Sequence, residues 1–313
     1  MTLKKTKEQT PQLKCGMVAI VGRPNVGKST LLNAILEEKV SIVSDVPQTT
    51  RTQIRGIYTD ERGQIVFIDT PGLHLGKDKF DKYMNRASIG SIDGVDVVIH
   101  LVDSSENTGA EERNVINQLK SCGKPIVVGL NKVDVGKGKF IPAYVQLWEE
   151  LRGKPMGEMN DLTLFPLAGL KGTNVTKLID VLFEHLPQGP LLYPEDAVTD
   201  FPQRMAMADL IREKLFRVLR EEVPHSIAVI IERVQPKKGK TLHIRAVILV
   251  ERDSQKEIVI GKGGDVLKQV GSDARRDLEE LIGGKVFLEM FVKTKSNWRD
   301  DHGVLEDMGY IET

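Results

Sequence analysis

Apolar positions follow two rhythms along this chain. Met17-Val18-Ala19-Ile20-Val21 is an unbroken apolar run, the pattern of a strand buried on both faces. Leu31-Leu32 and Ile35-Leu36 follow at helical spacing. Further strands are predicted at 54–58, 65–68, 95–102, 125–130 and 162–167, the first two turning at Asp60-Glu61-Arg62-Gly63. Helical stretches over 111–122 and 175–186 separate the later strands. Such alternation predicts an α/β fold, a doubly wound and mostly parallel sheet with helices on both faces. Ligands of such sheets sit beyond the carboxyl ends of the strands.

Past residue 190 the pattern changes. Residues 191–202 carry prolines and acids with little periodicity, so a linker is predicted there. Ala208, Ile211, Leu215 and Val218 then mark a helix over 205–222 that Pro224 stops. Strands are predicted at 227–234 and 242–250, around the basic turn Pro236-Lys237-Lys238-Gly239-Lys240. A G-x-x-G turn, Gly261-Lys262-Gly263-Gly264, joins two short helices. Ala274, Leu278, Leu281 and Ile282 stripe the next helix as far as Gly283-Gly284, and a last strand covers 286–292. This half is predicted to be a smaller α+β domain.

At 313 residues the chain has room for two cores. No apolar run approaches the ~18 residues of a membrane span, and the polar, Lys-rich start lacks a signal-peptide core. Cys15 and Cys122 have no metal-like spacing and predict reduced thiols in a cytoplasmic protein. The formal charge is zero, but its distribution is uneven. Residues 203–299 hold 20 Lys and Arg against 14 Asp and Glu, and 300–313 hold five acids with no Lys or Arg. The second half is thus mildly basic and ends in an acidic tail.

The chemistry sits at the predicted strand ends. Gly22-Arg23-Pro24-Asn25-Val26-Gly27-Lys28-Ser29 fits G-x-x-x-x-G-K-[ST] between a strand and a helix, with Thr30 following. Its backbone N–H groups can wrap phosphates, Lys28 can reach the β- and γ-phosphates, and the Ser29 hydroxyl can hold Mg²⁺. Asp69-Thr70-Pro71-Gly72 ends the 65–68 strand. There Asp69 can hold Mg²⁺ through a water, and the Gly72 N–H can approach a γ-phosphate. Asn131-Lys132-Val133-Asp134 ends the 125–130 strand. The Asp134 carboxylate matches the N1–H and NH₂ donors of guanine, whereas adenine would leave it unpaired. Lys132 can lay its stem over the ring. That motif speaks for a GTPase over an ATPase or a small-molecule kinase. In the loop Val46-Pro47-Gln48-Thr49-Thr50-Arg51, Thr50, or Thr49 in its place, can add a hydroxyl to Mg²⁺. Leu73 follows Gly72 where a water-orienting Gln could stand, which predicts intrinsic hydrolysis below about one turnover per second. Lys28, Thr50, Asp69 and Gly72 are therefore the predicted catalytic set, with Ser29, Thr50 and Asp69 on the metal.

In the second half the element order and the G-x-x-G turn point to a KH module. Lys262 can pair with phosphate, Gly261, Gly263 and Gly264 let the nucleic-acid backbone approach, Ile260 and Leu267 can wall the bases, and Arg275 and Arg276 can add phosphate contacts. The lysines of the basic turn fit a solvated hairpin tip equally well. Trp298 is predicted to anchor the tail by packing.

A guanine-type P-loop domain followed by a G-x-x-G module resembles the Era family of bacterial GTPases from about Gly16 onward. Gln48-Thr49-Thr50-Arg51, Leu73-His74, Asn297-Trp298-Arg299 and Gly309-Tyr310 also match. The resemblance implies a GTPase with a type II KH domain, using GTP/GDP and Mg²⁺, that binds the 3′ end of small-subunit ribosomal RNA and assists assembly of the small ribosomal subunit. It also implies loose peripheral contact with the inner membrane, and Asn25 implies stimulation by K⁺. The implied layout is a monomer with a tail at 1–14, a GTPase domain at 15–187, a linker at 188–202, a KH domain at 203–295 and an acidic tail at 296–313. In the base-contacting loop, Ala168-Gly169 stands where the family has Ser-Ala, and the Gly169 N–H is expected to contact guanine. A constitutive RNA-binding scaffold with a structural nucleotide site is the alternative reading.

Overall fold

The computed structural model describes residues 13–46, 49–72, 79–237 and 241–309, without the side chains of 79, 81–83, 85–87 and 237. Gln48, Leu73, His74, Lys238, Lys240 and Tyr310 therefore lie outside the described residues.

The first half is built from β1 (Lys14–Val21), α1 (Lys28–Leu36), β2 (Ile54–Asp60), β3 (Gly63–Asp69), α2 (Lys79–Asp93), β4 (Val97–Asp103), α3 (Ala110–Leu119), β5 (Ile126–Asn131), the short α4 (Val133–Gly136), α5 (Ile141–Arg152), β6 (Leu162–Pro166) and α6 (Val175–His185). Its six strands lie in the order β2-β3-β1-β4-β5-β6. Only the β2–β3 pair is antiparallel, the hairpin expected from the Asp60–Gly63 turn. β1 shows why both faces are covered. Val18 and Ile20 pack with Leu31, Leu32, Leu178 and Leu182, while Ala19 and Val21 pack with Val115, Ile116, Leu119 and Trp148. The period-2 alternation of one strand thus feeds two helix layers.

The second half comprises α7 (Gln203–Val218), β7 (Ala228–Lys237), β8 (Thr241–Val250), α8 (Asp253–Ile260), α9 (Asp265–Ile282), β9 (Val286–Thr294) and α10 (His302–Asp307). β8 is central, antiparallel to β7 and parallel to β9. Ile244, Ala246 and Ile248 of β8 meet Ile211 and Leu215 of α7 and Val270, Ala274 and Leu278 of α9. On the opposite face, Ala228, Val247 and Leu249 are covered by Trp298, Val304, Leu305 and Met308. Trp298 is fully buried and donates Nε1–H to Ser226 O at 2.8 Å, so it packs as its sequence context suggested.

The pattern reading had no counterpart for α2, α4, α5 or α10, and three segments that it did assign differ in the structure. α7 stops at Val218, four residues early, because Leu219 turns extended (ψ 153°) and enters the core. α9 is a single 18-residue helix, since Val270, Ala274 and Leu278 continue one stripe. The 191–202 segment is laid along the β2–β3 hairpin. Ile57 N–H donates to Val198 O at 2.8 Å, and buried Gln64 Oε1 accepts from the N–H of Leu192 and Tyr193.

Candidate nucleotide and RNA sites

The predicted nucleotide residues converge at the carboxyl end of the larger sheet. Pro24, Asn25, Gly27, Lys28, Ser29, Thr30, Thr50, Gly72, Asn131, Lys132, Asp134, Ala168 and Gly169 line one cavity of about 390 Å³. That volume lies in the range of small-molecule sites. Gly22, Arg23, Val26, Asp69, Thr70 and Pro71 stand behind this wall. Val26, Asp69 and Thr70 are buried, and Thr70 Oγ1 donates to Ile20 O at 2.8 Å.

At one end three oxygens meet. Ser29 Oγ lies 2.8 Å from Thr50 Oγ1 and donates to Asp69 Oδ2 at 2.7 Å. Thr50, not Thr49, points here; the Thr49 hydroxyl donates to Val46 O. Asp69 is fully buried, yet its Oδ1 has no partner among the described residues. A hard divalent cation takes such oxygen donors, so Ser29, Thr50 and Asp69 fit Mg²⁺. Burial pushes the Asp69 carboxyl above its usual range, against the pull of Lys28, Ser29 and Ser41. Burial also lowers the Lys28 ammonium to about 8, against the pull of Asp69 and Glu112. Lys28 Nζ donates to Gly22 O and Arg23 O at 3.2 and 2.9 Å, pointing along the loop that would wrap phosphates. A polyphosphate with its metal supplies the opposite charges both groups lack.

The other end is braced for a base. Asn131 Nδ2 donates to Val26 O at 2.8 Å, and Asn131 Oδ1 accepts from the Gly169 N–H at 2.9 Å, tying three loops together. The Gly169 N–H, expected to face guanine, is thus engaged by Asn131, because the Ala168-Gly169 turn sits directly beside the end of β5. Lys132 adopts a left-handed φ of 60°. It pairs with Asp103 Oδ2 at 2.6 Å and donates to Asn25 O at 3.0 Å. Holding a non-glycine residue in that region costs of order 1 kcal/mol, and such strain collects at functional sites. Asp134 lines the cavity, with Lys171 Nζ at 3.2 Å on its rim.

The loop carrying Thr50 also touches the second half. Arg212 Nη2 donates to Thr49 O at 2.9 Å, and Arg51 Nη1 donates to Ile227 O at 2.8 Å. The buried Arg51 guanidinium lies 5.4–5.9 Å from the ring centres of Phe80, Phe216 and Trp298. The pattern reading missed this box, and it missed Ser41, whose hydroxyl donates to Asp69 Oδ2 at 2.9 Å. A lone Ser in a polar loop carries no signal in sequence.

In the second half, α8 ends at Ile260 and the G-x-x-G turn follows. Gly261 has φ 77°, and a Cβ there would lie 2.0 Å from Asp265 Oδ1, so the turn demands glycine. Lys262 and Gly263 are exposed. Ile260 is half-buried beside the turn, whereas Leu267 packs in part on the core. Arg275 and Arg276 are exposed on α9, about 17 Å along the helix axis from Gly264. The structure does not bring them to the turn.

Comparison with known proteins agrees with both halves. The family described as 50S ribosome-binding GTPase matches residues 17–132, and the KH domain family matches residues 222–299. GTPase Era from Lacticaseibacillus paracasei is 43% identical, over 94% of this chain and 96% of its own length. GTPase Era from Carboxydothermus hydrogenoformans is 41% identical, over 96% and 98%. A crystal structure of Era in complex with MgGDPNP and nucleotides 1506–1542 of 16S ribosomal RNA superposes with a TM-score of 0.89 at 36% identity, covering 96% of this chain and all of that one. A variant of Aquifex aeolicus Era bound to GDP·AlF₄⁻ gives 0.88 at 38% identity, with the same coverage. The site, the order of its two domains and these relatives together establish that the chain belongs to the Era family of GTPases.

Proposed function

We propose that this protein is a GTP-hydrolysing switch that binds small-subunit ribosomal RNA near its 3′ end and assists assembly of the small ribosomal subunit. The observation that carries this reading is the continuity of Thr49, Thr50 and Arg51. Thr50 meets Ser29 beside Asp69, and its two neighbours are held by Arg212 and Ile227 of the KH half. An Era relative held with MgGDPNP and 16S ribosomal RNA supports both ligands.

The residues take roles in order. The backbone of 22–29 wraps the phosphates, Lys28 contacts the β- and γ-phosphates, and Asp134 reads guanine. Ser29 and Thr50, with Asp69 acting through a water, would hold Mg²⁺, which would supply positive charge to the phosphates. The Gly72 N–H stabilises the γ-phosphoryl group as charge builds there. The KH half holds the RNA backbone at Gly261-Lys262-Gly263-Gly264, with Ile260 and Leu267 beside the bases and Arg275 and Arg276 further along α9. Thr50 adjoins Arg51, which sits in its aromatic box against the KH half, so a nucleotide that engaged Thr50 would be linked through this segment to KH docking. The scaffold reading, with its merely structural nucleotide site, leaves this continuity without a purpose.

We read the protein as a cytoplasmic monomer. The reading includes peripheral contact with the inner membrane; no helix among the described residues is long and apolar enough to cross one. Asn25, whose Nδ2 donates to Asp45 O at 2.8 Å, lines the phosphate end and suits a K⁺-assisted site. Hydrolysis is expected to run several-fold faster in KCl than in NaCl, and equal rates would remove the monovalent ion from the reading.

The central test is RNA crosslinking with base-level mapping, in GDP and in a GTP analogue. Crosslinks are expected at the 3′ end of the small-subunit RNA, stronger in the analogue and reduced about tenfold by Lys262→Glu. Identical maps and yields in both nucleotides would leave a scaffold and no switch.

A further inference from the structure

Behind the phosphate loop lies a buried charged network whose Glu112, His100 and Tyr144 take none of the nucleotide roles. Glu112, on α3, has a side chain with no exposure. Its Oε1 lies 2.6 Å from His100 Nε2 on β4, and its Oε2 lies 2.7 Å from Arg23 Nε. The Arg23 contact is an ion pair without hydrogen-bond alignment at Nε. Arg23 Nη2 also donates to Tyr144 Oη at 3.1 Å, and that hydroxyl donates to Asp103 O at 2.9 Å. Asp103 in turn pairs with Lys132. His100 is buried and stands edge-on to Trp148, with ring centres 5.6 Å apart. A carboxylate with no exposure is costly to bury unless its partners are well placed. Here the partners connect it to both ends of the nucleotide cavity.

The Arg23 side chain points away from the cavity, but its backbone does not. Arg23 O accepts from Lys28 Nζ, and Pro24 packs against Gly72, where a Cβ would fall 2.7 Å from Pro24 N. Fixing the guanidinium therefore fixes where the Lys28 ammonium rests and how far the loop stands from Gly72. Tyr144 carries the same anchorage to Asp103 and so to Lys132 on the base side.

We propose that Glu112 is a positioning residue for GTP, acting through Arg23 to set the phosphate loop and through Tyr144 to keep that loop in register with the base-reading loop. The proposal rests on the GTPase reading of the cavity. Glu106 Oε2 stands 4.0 Å from Arg23 Nη2 on the surface and can take over a share of the pairing, which bounds the effect.

The test compares the full-length protein with Glu112→Gln, Arg23→Met and the double variant, reading KM and kcat for GTP together with Tm. Among the described residues, Arg23→Met leaves the buried Glu112 carboxylate with His100 alone, and Glu112→Gln leaves the Arg23 guanidinium with Tyr144 and the more distant Glu106. Each single variant is expected to lower Tm, to raise KM about tenfold and to lower kcat several-fold. The double variant removes both charges, so Tm returns to within a few degrees of the parent. Its KM stays raised by about the same tenfold, because no anchor holds the loop. Tyr144→Phe is expected to raise KM two- to threefold. Recovery of Tm, KM and kcat together in the double variant would show a merely structural pair and overturn the proposal. So would single variants with parental KM and kcat. If a single variant does not fold, the double variant alone decides. A parent protein that hydrolyses GTP while all variants match it refutes only the positioning role; a parent that does not hydrolyse GTP refutes the site reading beneath it.

Discussion

Asp134→Asn is expected to weaken GDP binding by a factor of at least about 10² while leaving the fold intact. The Asp134 carboxylate stands at the rim of the cavity and is paired there, among the described residues, with the largely exposed Lys171 ammonium. A guanine entering from the rim offers two N–H donors on one edge, and a carboxylate accepts both. An asparagine accepts one and turns its NH₂ toward the other, so two donors meet in a desolvated place. Xanthine carries a carbonyl where guanine carries its amino group, so the variant should bind XDP better than GDP. The surrounding brace makes this a test of one group. Asn131 is held by Val26 O and the Gly169 N–H, and Lys132 by Asp103, none of which touches the altered atoms. Competition of GDP, XDP and ADP against a fluorescent guanine nucleotide gives the answer. A variant that still prefers GDP by the parental margin removes Asp134 from base recognition. A parent that holds ADP as well as GDP removes the guanine specificity itself.

The motifs were legible because each occupies a few consecutive residues at the end of a strand whose apolar run is itself legible. β1, β3 and β5 end at Val21, Asp69 and Asn131, so the loops carrying Lys28, Gly72 and Asp134 follow from three readable strands. Contacts between distant segments were not legible. The Arg51 box gathers residues near 80, 216 and 298, and no local pattern says that an arginine will be buried among them. Glu112 looks like a surface acid at the start of a polar helix, and only the packing of α3 over β4 and the phosphate loop puts it inside. His100 did leave a trace as a polar interruption within an otherwise apolar strand, the kind of buried polar group that demands a partner. α5 left one too, since Tyr144, Leu147 and Trp148 keep helical spacing. The base loop shows the opposite case, a departure visible in sequence whose consequence needed coordinates. Glycine at 169 reads as lost definition, yet its N–H is fixed by Asn131, and an added Cβ would meet only ordinary contacts 3.5–3.6 Å from Leu31. Packing at that position does not require glycine.

Gly72→Ala is expected to lower GTP hydrolysis about a hundredfold while changing GDP affinity by no more than about twofold. A Cβ at 72 would stand 2.7–2.8 Å from Pro24 N, Cα and Cγ, which is closer than real contacts allow and mostly against backbone. One of the two segments must retreat. Arg23, paired with Glu112 and bonded to Tyr144, anchors the Pro24 side, so the loop carrying residue 72 is the one displaced. Its N–H then leaves the place where the γ-phosphoryl group develops charge, and one lost donor of that kind costs about 10²–10³ in rate. GDP lacks the γ-phosphate, so the wrapped phosphates, Lys28 and Asp134 keep its binding near the parental value. The same displacement should narrow any difference in RNA affinity between GDP and a GTP analogue, because α2, which follows this loop, carries Phe80 into the aromatic box around Arg51. Single-turnover hydrolysis, GDP titration and RNA binding on the one variant separate these effects. Parental hydrolysis with alanine at 72 would mean that the N–H is not used. An equal loss of GDP and GTP binding would mean that Pro24 moved instead, and that the anchorage of the phosphate loop is weaker than its buried ion pair implies.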